Sequence, residues 1–183
     1  MRCWRIGAYA VLSSVAVHAD APGTTYANVG AWEISTEPER KLCKMFHVYG
    51  SSKDSHVEGL FIRYDAAKEE VWPTWTTDAA IDLPPVDQSQ LPLEFVKGTS
   101  LNGSWGNRLF QVRKRDATTY VSHTFRGPKN ARQVLDHLAA SEVFGLSLGP
   151  AMITGRSLDA SRASEMLRKC SLETAAPSAV RSR

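Results

Sequence analysis

The segment DASRASEMLRKC, residues 159–170, decides the fold because it predicts an amphipathic helix that ends in a cysteine. Asp159 is the predicted N-cap. Arg168 and Lys169 lie in the last turn, where cations stabilise the carbonyl end of a helix. Small and apolar residues recur at helical spacing on one face, namely Ala160, Ala163, Met166, Leu167 and Cys170. The buried face of this helix therefore presents Cys170 to the core.

The N-terminus predicts a signal peptide over residues 1–19. Arg2 and Arg5 precede the apolar run IGAYAVLSSVAV, which is too short to span a bilayer. Cleavage is expected after Ala19, and a buried N-terminal helix is the alternative. The mature chain would be periplasmic or secreted, without a transmembrane segment. Losing both arginines lowers the formal charge from +3 to +1. That charge is too small for a nucleic-acid binder, so no nucleic-acid partner is expected.

Cleavage also removes Cys3 and leaves Cys43 and Cys170 as an even pair. In an oxidising compartment such a pair predicts a disulfide. Two separate buried thiols are the alternative. Cys43 lies in LCKMFHVY, a predicted strand 127 residues before Cys170. Closing a loop of that length stabilises a fold by about 4–5 kcal/mol.

The mature chain is predicted to form one domain. Residues 20–28 are expected to be a flexible lead-in, 29–171 a single β-rich domain and 172–183 a disordered tail. Strands are predicted from alternation and turn signals around Trp32 and Ile34 and at 42–49, 56–64, 93–97, 108–114, 118–125 and 142–148. Pro73 predicts an edge or a bulge at 71–76, and Asn102-Gly103 predicts a hairpin turn.

A second amphipathic helix is predicted after Pro128, which suits a first helical turn. Its apolar face consists of Ala131, Val134, Leu135 and Leu138. The predicted fold class is therefore α+β, a mostly antiparallel β-sheet or sandwich with two amphipathic helices, the last of them C-terminal.

No catalytic residue, metal ligand or cofactor is predicted. Gly145 to Gly149 matches G-x-S-x-G, but no histidine follows Ser147, so a strand is the better interpretation. The histidines of the mature chain lack zinc-ligand spacing. Asp65, Glu69 and Glu70 could supply carboxylates for glycoside cleavage, although a solvated charge cluster is the simpler interpretation.

Trp72 and Trp75, in the segment Trp72-Pro73-Thr74-Trp75, form the one candidate ligand-contact surface. On a pleated strand the two indoles would face opposite ways. In a polyproline-like course they would share one side and could stack on a sugar or a peptide. Burial in the core is the interpretation that the sequence favours for both, because tryptophans usually bury most of their area.

Several features together resemble the invasion-associated locus B family of small exported proteins from Gram-negative bacteria. They are the signal peptide, the early segment Gly30-Ala31-Trp32-Glu33-Ile34 with a cysteine soon after it, and a β-rich middle. The C-terminal segment Gly155-Arg156-Ser157-Leu158-Asp159-Ala160-Ser161 then leads into Leu167-Arg168-Lys169-Cys170. The resemblance implies a periplasmic or outer-envelope protein with a β-sandwich-like fold and no known catalytic residues.

The sequence favours a non-enzymatic, disulfide-closed exported domain that binds an envelope protein or a glycan, although enzymatic activity stays open. The alternatives are an envelope glycan hydrolase and a small inhibitor of a hydrolase. An inhibitor would present a rigid loop such as Pro84–Pro92.

Overall fold

The computed structural model describes residues 23–50, 57–78, 89–97, 100–148, 151–156 and 159–176. The predicted signal peptide, residues 177–183 of the predicted tail and residues 84–88 of the proposed inhibitor loop lie outside these ranges. Within them no helix is long and apolar enough to cross a membrane.

The described part of the chain contains eleven strands in one antiparallel sheet and two α-helices, so the predicted α+β class is confirmed. The strands are β1 (Thr24–Val29), β2 (Trp32–Glu37), β3 (Leu42–Gly50), β4 (Val57–Asp65), β5 (Glu70–Thr77), β6 (Ser89–Lys97), β7 (Ser100–Arg115), β8 (Thr118–Ser122), β9 (Phe125–Arg126), β10 (Val143–Leu148) and β11 (Ala151–Arg156). The helices are α1 (Pro128–Ala140) and α2 (Ala160–Ala175).

Strands β1 to β5 are neighbours in sequence order and form a meander, whereas the later strands do not follow the sequence order. The order of the sheet is β1-β2-β3-β4-β5-β8-β7-β6-β10-β11, with β9 paired to β5 beyond the end of β8. Strand β7 is 16 residues long and joins the two parts. Residues 100–110 of β7 pair with β6, and residues 111–115 pair with β8.

Both helices pack on the same face of the sheet. The apolar stripe of α1 is buried as predicted and faces Leu60, Ile62 and Trp75. Helix α2 buries Ala163, Leu167 and Cys170 against β2 and β3. This face carries the hydrophobic core, whose largest fully buried side chains include Trp32, Ile34, Met45, Leu60, Phe110, Leu135 and Leu167. No described α-helix packs on the opposite face of the β3–β5 region, where the short 3-10 turn Pro38–Arg40 lies at the rim.

The predicted disulfide between Cys43 and Cys170 is present and fastens α2 to β3. The two Cα atoms are 6.0 Å apart, and both residues are fully buried. Thr174 Oγ1 lies 3.4 Å from Cys43 Sγ and extends the contact one turn along the helix.

Pro73 lies inside the sheet, so the prediction of an edge strand is wrong. Strand β5 pairs with β4 on one side and with β8 and β9 on the other. The backbone N–H of His123 donates to Pro73 O at 3.3 Å. Because N and O of one residue in an antiparallel strand point to the same neighbour, the missing N–H of Pro73 faces residues 123–124. The partner strand of β5 is interrupted at this point, between the end of β8 and the start of β9. The absence of an N–H group at Pro73 therefore removes no ladder hydrogen bond.

The hairpin turn predicted at Asn102-Gly103 is also wrong, because both residues lie inside β7. Gly103 pairs with Phe95, and the β6–β7 ladder continues to Lys97 and Ser100. A Cβ at Gly103 would come within 2.5 Å of His137 Nδ1 on α1. Glycine is used here for close helix–sheet packing rather than for a turn.

The ordered elements extend past both predicted ends of the domain. Strand β1 begins inside the segment 20–28 that was expected to be flexible, and α2 ends at Ala175 inside the expected tail. One side-chain contact links the two extensions, since the Tyr26 hydroxyl donates to Glu173 Oε2 at 2.7 Å.

Asp159 occupies the N-cap position of α2 without capping it through its side chain. Its backbone is left-handed, with φ of 59°, and its carboxylate makes no cap hydrogen bond. Side-chain capping uses an extended backbone at this position. The carboxylate instead lies against Gly30 in the β1–β2 turn, where a Cβ would not fit.

Candidate functional site

A groove on the sheet face opposite the two α-helices is the candidate functional site, and we call it the Trp72 groove. Its volume is about 650 Å³. The lining residues come from the turn before β3 and from β3, β4, β5, β7, β8 and the turns beside them. They are Glu39, Arg40, Leu42, Arg63, Lys68, Trp72, Thr74, Gln111, Ser122 and Thr124.

Strand alternation separates the two tryptophans that the sequence singled out. Residues 70–77 alternate between half-buried and buried positions along β5, so Trp72 lies in the groove and Trp75 lies under the helices. Trp75 is 2% exposed and packs edge-on against Phe110, with ring centroids 5.9 Å apart. The prediction of a ligand surface shared by both indoles is therefore wrong for Trp75, because β5 is a regular strand rather than a polyproline-like segment.

A row of charged side chains crosses the groove beside Trp72. Lys44, Arg63 and Trp72 are successive cross-strand partners on β3, β4 and β5, so their side chains share one face. Arg63 Nε donates to both carboxylate oxygens of Glu37, at 2.9 and 3.2 Å. Because Glu37 is only 8% exposed, this contact fixes the position of the guanidinium.

An uncharged row runs parallel to the charged one. Phe61, Thr74, Ser122 and Gln111 are successive partners across β4, β5, β8 and β7. Phe46 on β3 stacks on Phe61 with ring centroids 5.6 Å apart and an interplanar angle of 20°. Phe46 and Phe61 lie beside the groove rather than in its described lining, which combines the Trp72 indole with hydroxyl and amide groups that both donate and accept hydrogen bonds.

The acidic residues predicted as a solvated cluster occupy distinct structural positions. Asp65 is 3% exposed, and its Oδ1 accepts the N–H groups of Ala67 and Lys68, each at 3.0 Å. Lys68 Nζ also lies 3.2 Å from Asp65 Oδ2. Glu70 pairs with Arg126 at 3.1 Å. Asp65 is therefore a turn-forming residue, in contrast to the solvated position that was predicted for it.

The histidines are dispersed over the fold. His47 lies beside Trp32, and His137 Nδ1 accepts the Trp105 Nε1–H bond at 3.0 Å. His123 Nδ1 donates to Leu109 O at 2.9 Å. His56 lies outside the described residues. In the described ranges no group of three or more histidine, cysteine, aspartate or glutamate side chains is placed to hold a metal ion.

Two of these imidazoles are buried enough to change their titration. Burial lowers the pKa of His47. Burial is also the main cause that lowers the pKa of His123. The hydrogen bond to Leu109 raises this pKa, and the positive charges of Arg108 and Arg126 lower it, so the net change is a lower pKa. Both imidazoles therefore favour the neutral form.

Residues 145–148 of the G-x-S-x-G segment lie in strand β10, which pairs with β11. Ser147 pairs with Met152 in a regular antiparallel ladder. A nucleophile elbow requires a helix after the turn. The prediction that this segment forms a strand is confirmed for residues 145–148.

The comparisons with known proteins add no relative to this description. Neither protein-family models, nor curated proteins, nor solved structures gave a match to the chain. The resemblance to the invasion-associated locus B family stays a prediction.

Most of the groove was missed by the sequence analysis. Trp72 was singled out, but Arg63, Gln111 and Ser122 were not. Alternation in VEGLFIRYD places Arg63 opposite the apolar face of its strand, which was the one available signal. Its proximity to Trp72 depends on the cross-strand register, which no local pattern encodes.

Proposed function

We propose that this chain is an exported, disulfide-closed binding domain and that its ligand is a glycan of the cell envelope held in the Trp72 groove. The observation that carries the proposal is the half-buried Trp72 indole beside uncharged hydrogen-bonding side chains, on the sheet face opposite the two α-helices. The apolar C–H face of a sugar ring packs on an indole, while its hydroxyls need donors and acceptors at the rim.

The size of the groove supports a ligand of several linked units. Ligand-binding clefts are typically about 300–1,000 Å³ in volume, and the Trp72 groove falls inside that range at about 650 Å³. Six of its ten described lining residues lie in strands, and the other four lie in short connections beside them. A site built on strands is preorganised, which reduces the entropic cost of binding.

Export is supported by the cysteine chemistry. A buried disulfide between Cys43 and Cys170 is a stable form in the periplasm or outside the cell, and it is rare in the cytosol. A periplasmic or secreted location also agrees with the signal peptide expected at residues 1–19. It agrees with the family resemblance, which we retain as part of the proposal.

Binding is favoured over the alternative of glycan hydrolysis by the state of the carboxylates. Glu39 is the single carboxylate among the described lining residues, whereas glycosidases generally use two. Glu37, just behind the lining, is bound by Arg63, and Asp65 is held by its own turn. The inhibitor alternative rests on Pro84–Pro92, of which residues 84–88 lie outside the described ranges, and it stays a prediction.

The proposal is tested on a glycan array that carries envelope oligosaccharides. We expect the wild-type domain to retain a subset of them and Trp72→Ala to lose that binding while remaining folded. Tyr120→Ala is the matched control, because Tyr120 is an exposed aromatic residue outside the groove lining. Unchanged binding by a folded Trp72→Ala variant, or retention of no oligosaccharide by the wild type, would contradict the proposal.

A further inference from the structure

We infer that the glycan bound in the Trp72 groove is acidic and that Arg63 binds its anionic group through the terminal amino groups of the guanidinium. This inference rests on the proposed binding function and specifies its ligand class. The shared chemistry is a pair of anionic oxygens, which a uronic acid carboxylate or a sugar phosphate supplies.

The hydrogen bonds of Arg63 leave its outer edge open to a ligand. Its bonds to Glu37 both use Nε. Within the described ranges neither terminal nitrogen of Arg63 donates a hydrogen bond to another residue. Arg63 lines the groove and its side chain is 25% exposed. With Nε bonded to Glu37, the terminal nitrogens are the donors left for a ligand. Arginine stays charged at all working pH values and binds carboxylate or phosphate through two parallel N–H bonds.

The local charge balance favours an anion. Glu37 lies within 4.0 Å of three cations, with Arg63 at 2.9 Å, Lys44 at 3.6 Å and Arg40 at 3.9 Å. Arg40 is exposed, so the half-buried part of the cluster is one carboxylate shared by two cations, Arg63 and Lys44, which leaves an excess of one positive charge. Lys68 is matched by Asp65. Glu37 orients the cluster without neutralising it, and a half-buried excess charge is screened less by salt than an exposed one.

The position of Arg63 relative to the indole fits one ligand unit. Arg63 and Trp72 are direct cross-strand partners, and such pairs have Cβ atoms about 4.5–5.5 Å apart. A sugar ring that stacks on Trp72 would place an acidic substituent within reach of the guanidinium, while its hydroxyls face Thr74 and Ser122. Stacking and charge recognition would then act on the same residue of the glycan.

The test compares acidic oligosaccharides with neutral counterparts. Uronic acid oligomers, their carboxyl-reduced forms, and a phosphorylated and dephosphorylated pair are titrated calorimetrically into the wild-type domain. We expect at least one acidic member to bind about tenfold more tightly than its neutral counterpart, as for one charge-assisted hydrogen-bond pair. The preference should weaken as salt rises. A preference within the uronic acid pair would identify a carboxylate as the bound anion, and a preference within the phosphorylated pair would identify a phosphate.

Three variants assign the preference to Arg63. Arg63→Gln should bind the acidic and neutral members equally. Arg162→Gln removes the same charge from the exposed side of α2 and should keep the full preference. Glu37→Gln keeps an amide oxygen that can accept the Arg63 Nε–H bond and removes the competing negative charge, so it should bind the acidic member more tightly. This third variant keeps the test decisive if Arg63→Gln does not fold.

The outcomes separate this inference from the proposed function. Equal Trp72-dependent binding of acidic and neutral oligosaccharides would overturn the inference and leave the glycan-binding function standing. Retention of none of them would overturn both. An acidic preference that persists in a folded Arg63→Gln variant would also overturn the assignment to Arg63.

Discussion

At the scale of single residues, Trp72 and Trp75 are of one chemical type but have opposite structural roles. Only the parity of their positions on β5 separates them. Trp75 fills the core between the sheet and α1. Trp72 is half-buried on the other face of the sheet, where a substitution should cost less stability than one in the core.

Trp75→Ala should therefore destabilise the fold by about 3–5 kcal/mol, as expected for truncating a large core side chain. Trp72→Ala should change the free energy of unfolding by at most about 1 kcal/mol, since it removes a half-buried side chain. Equilibrium unfolding in urea, followed by circular dichroism, measures both. Equal destabilisation by the two variants would contradict the assignment of Trp72 to the open face.

His47 and His123 should make the fold sensitive to mild acid. Their pKa values are lowered in the folded state, so the unfolded chain, with a histidine pKa of about 6.5, binds protons more readily. The part of the free energy of unfolding that depends on these neutral imidazoles is fully present above about pH 6.5. It is lost as the pH falls from there through the lower pKa values of the folded state.

The measurement is the urea midpoint of unfolding at several pH values from 7.5 to 5. We expect the midpoint to fall over this interval in the wild type and to fall less in the double variant His47→Gln/His123→Gln. Lys129→Gln, an exposed substitution on α1, controls for a change in net charge. A double variant that follows the wild-type curve would refute the role of these two histidines.

At the scale of elements, the contact between α1 and β7 is set by the absence of a side chain at Gly103. The imidazole of His137 occupies the space that a Cβ would need and accepts a hydrogen bond from Trp105. Trp105 also packs edge-on against Phe125, with centroids 4.7 Å apart. Helix, long strand and β9 therefore meet at one point.

Gly103→Ala should separate these elements. We expect a loss of about 1–3 kcal/mol, typical of overpacking, together with weakening of the Trp105–His137 hydrogen bond. The free energy of unfolding and the near-ultraviolet circular dichroism of the tryptophans report the two effects. Asn107→Ala, an exposed change further along β7, should leave both unchanged. A fully stable Gly103→Ala variant would show that α1 is free to move away.

The elements differ in how much of them the sequence could predict. The buried face of α1 was predicted residue by residue, because apolar periodicity is a local property. The strand at Leu42–Gly50 and the C-terminal helix were likewise found from pattern. Pro73 usually indicates an edge strand, but here it lies opposite an interruption in the neighbouring strand. Asn102-Gly103 usually indicates a turn, but here the glycine makes room for helix α1. Both exceptions depend on tertiary structure, which a local pattern does not contain.

At the scale of the whole molecule, the candidate site was beyond sequence reasoning for a topological reason. Strand β5 pairs with β8 rather than with its sequence neighbour β6. This pairing places Gln111 and Ser122 beside Thr74, across gaps of about forty to fifty residues. The disulfide could be predicted because only two cysteines remain after the predicted signal peptide, so their pairing does not depend on how the strands are aligned.

The disulfide should supply a large part of the total stability. For its loop of 127 residues, the chain-entropy relation gives about 4–5 kcal/mol, a sizeable share of the 5–15 kcal/mol typical of a domain. The double variant Cys43→Ala/Cys170→Ala should lose about that amount in urea unfolding. Wild-type protein unfolded in the presence of a reductant should match it. Equal stability with and without the bond would contradict this expectation.

The same bond also determines when the protein can finish folding. Synthesis proceeds from the N-terminus, so Cys43 leaves the ribosome long before Cys170 does. During that interval the Cys43 thiol is exposed before its correct partner has emerged. The bond can therefore form only after the C-terminal helix has left the ribosome. A chain that stops before residue 159 would leave Cys43 open to pairing with other molecules.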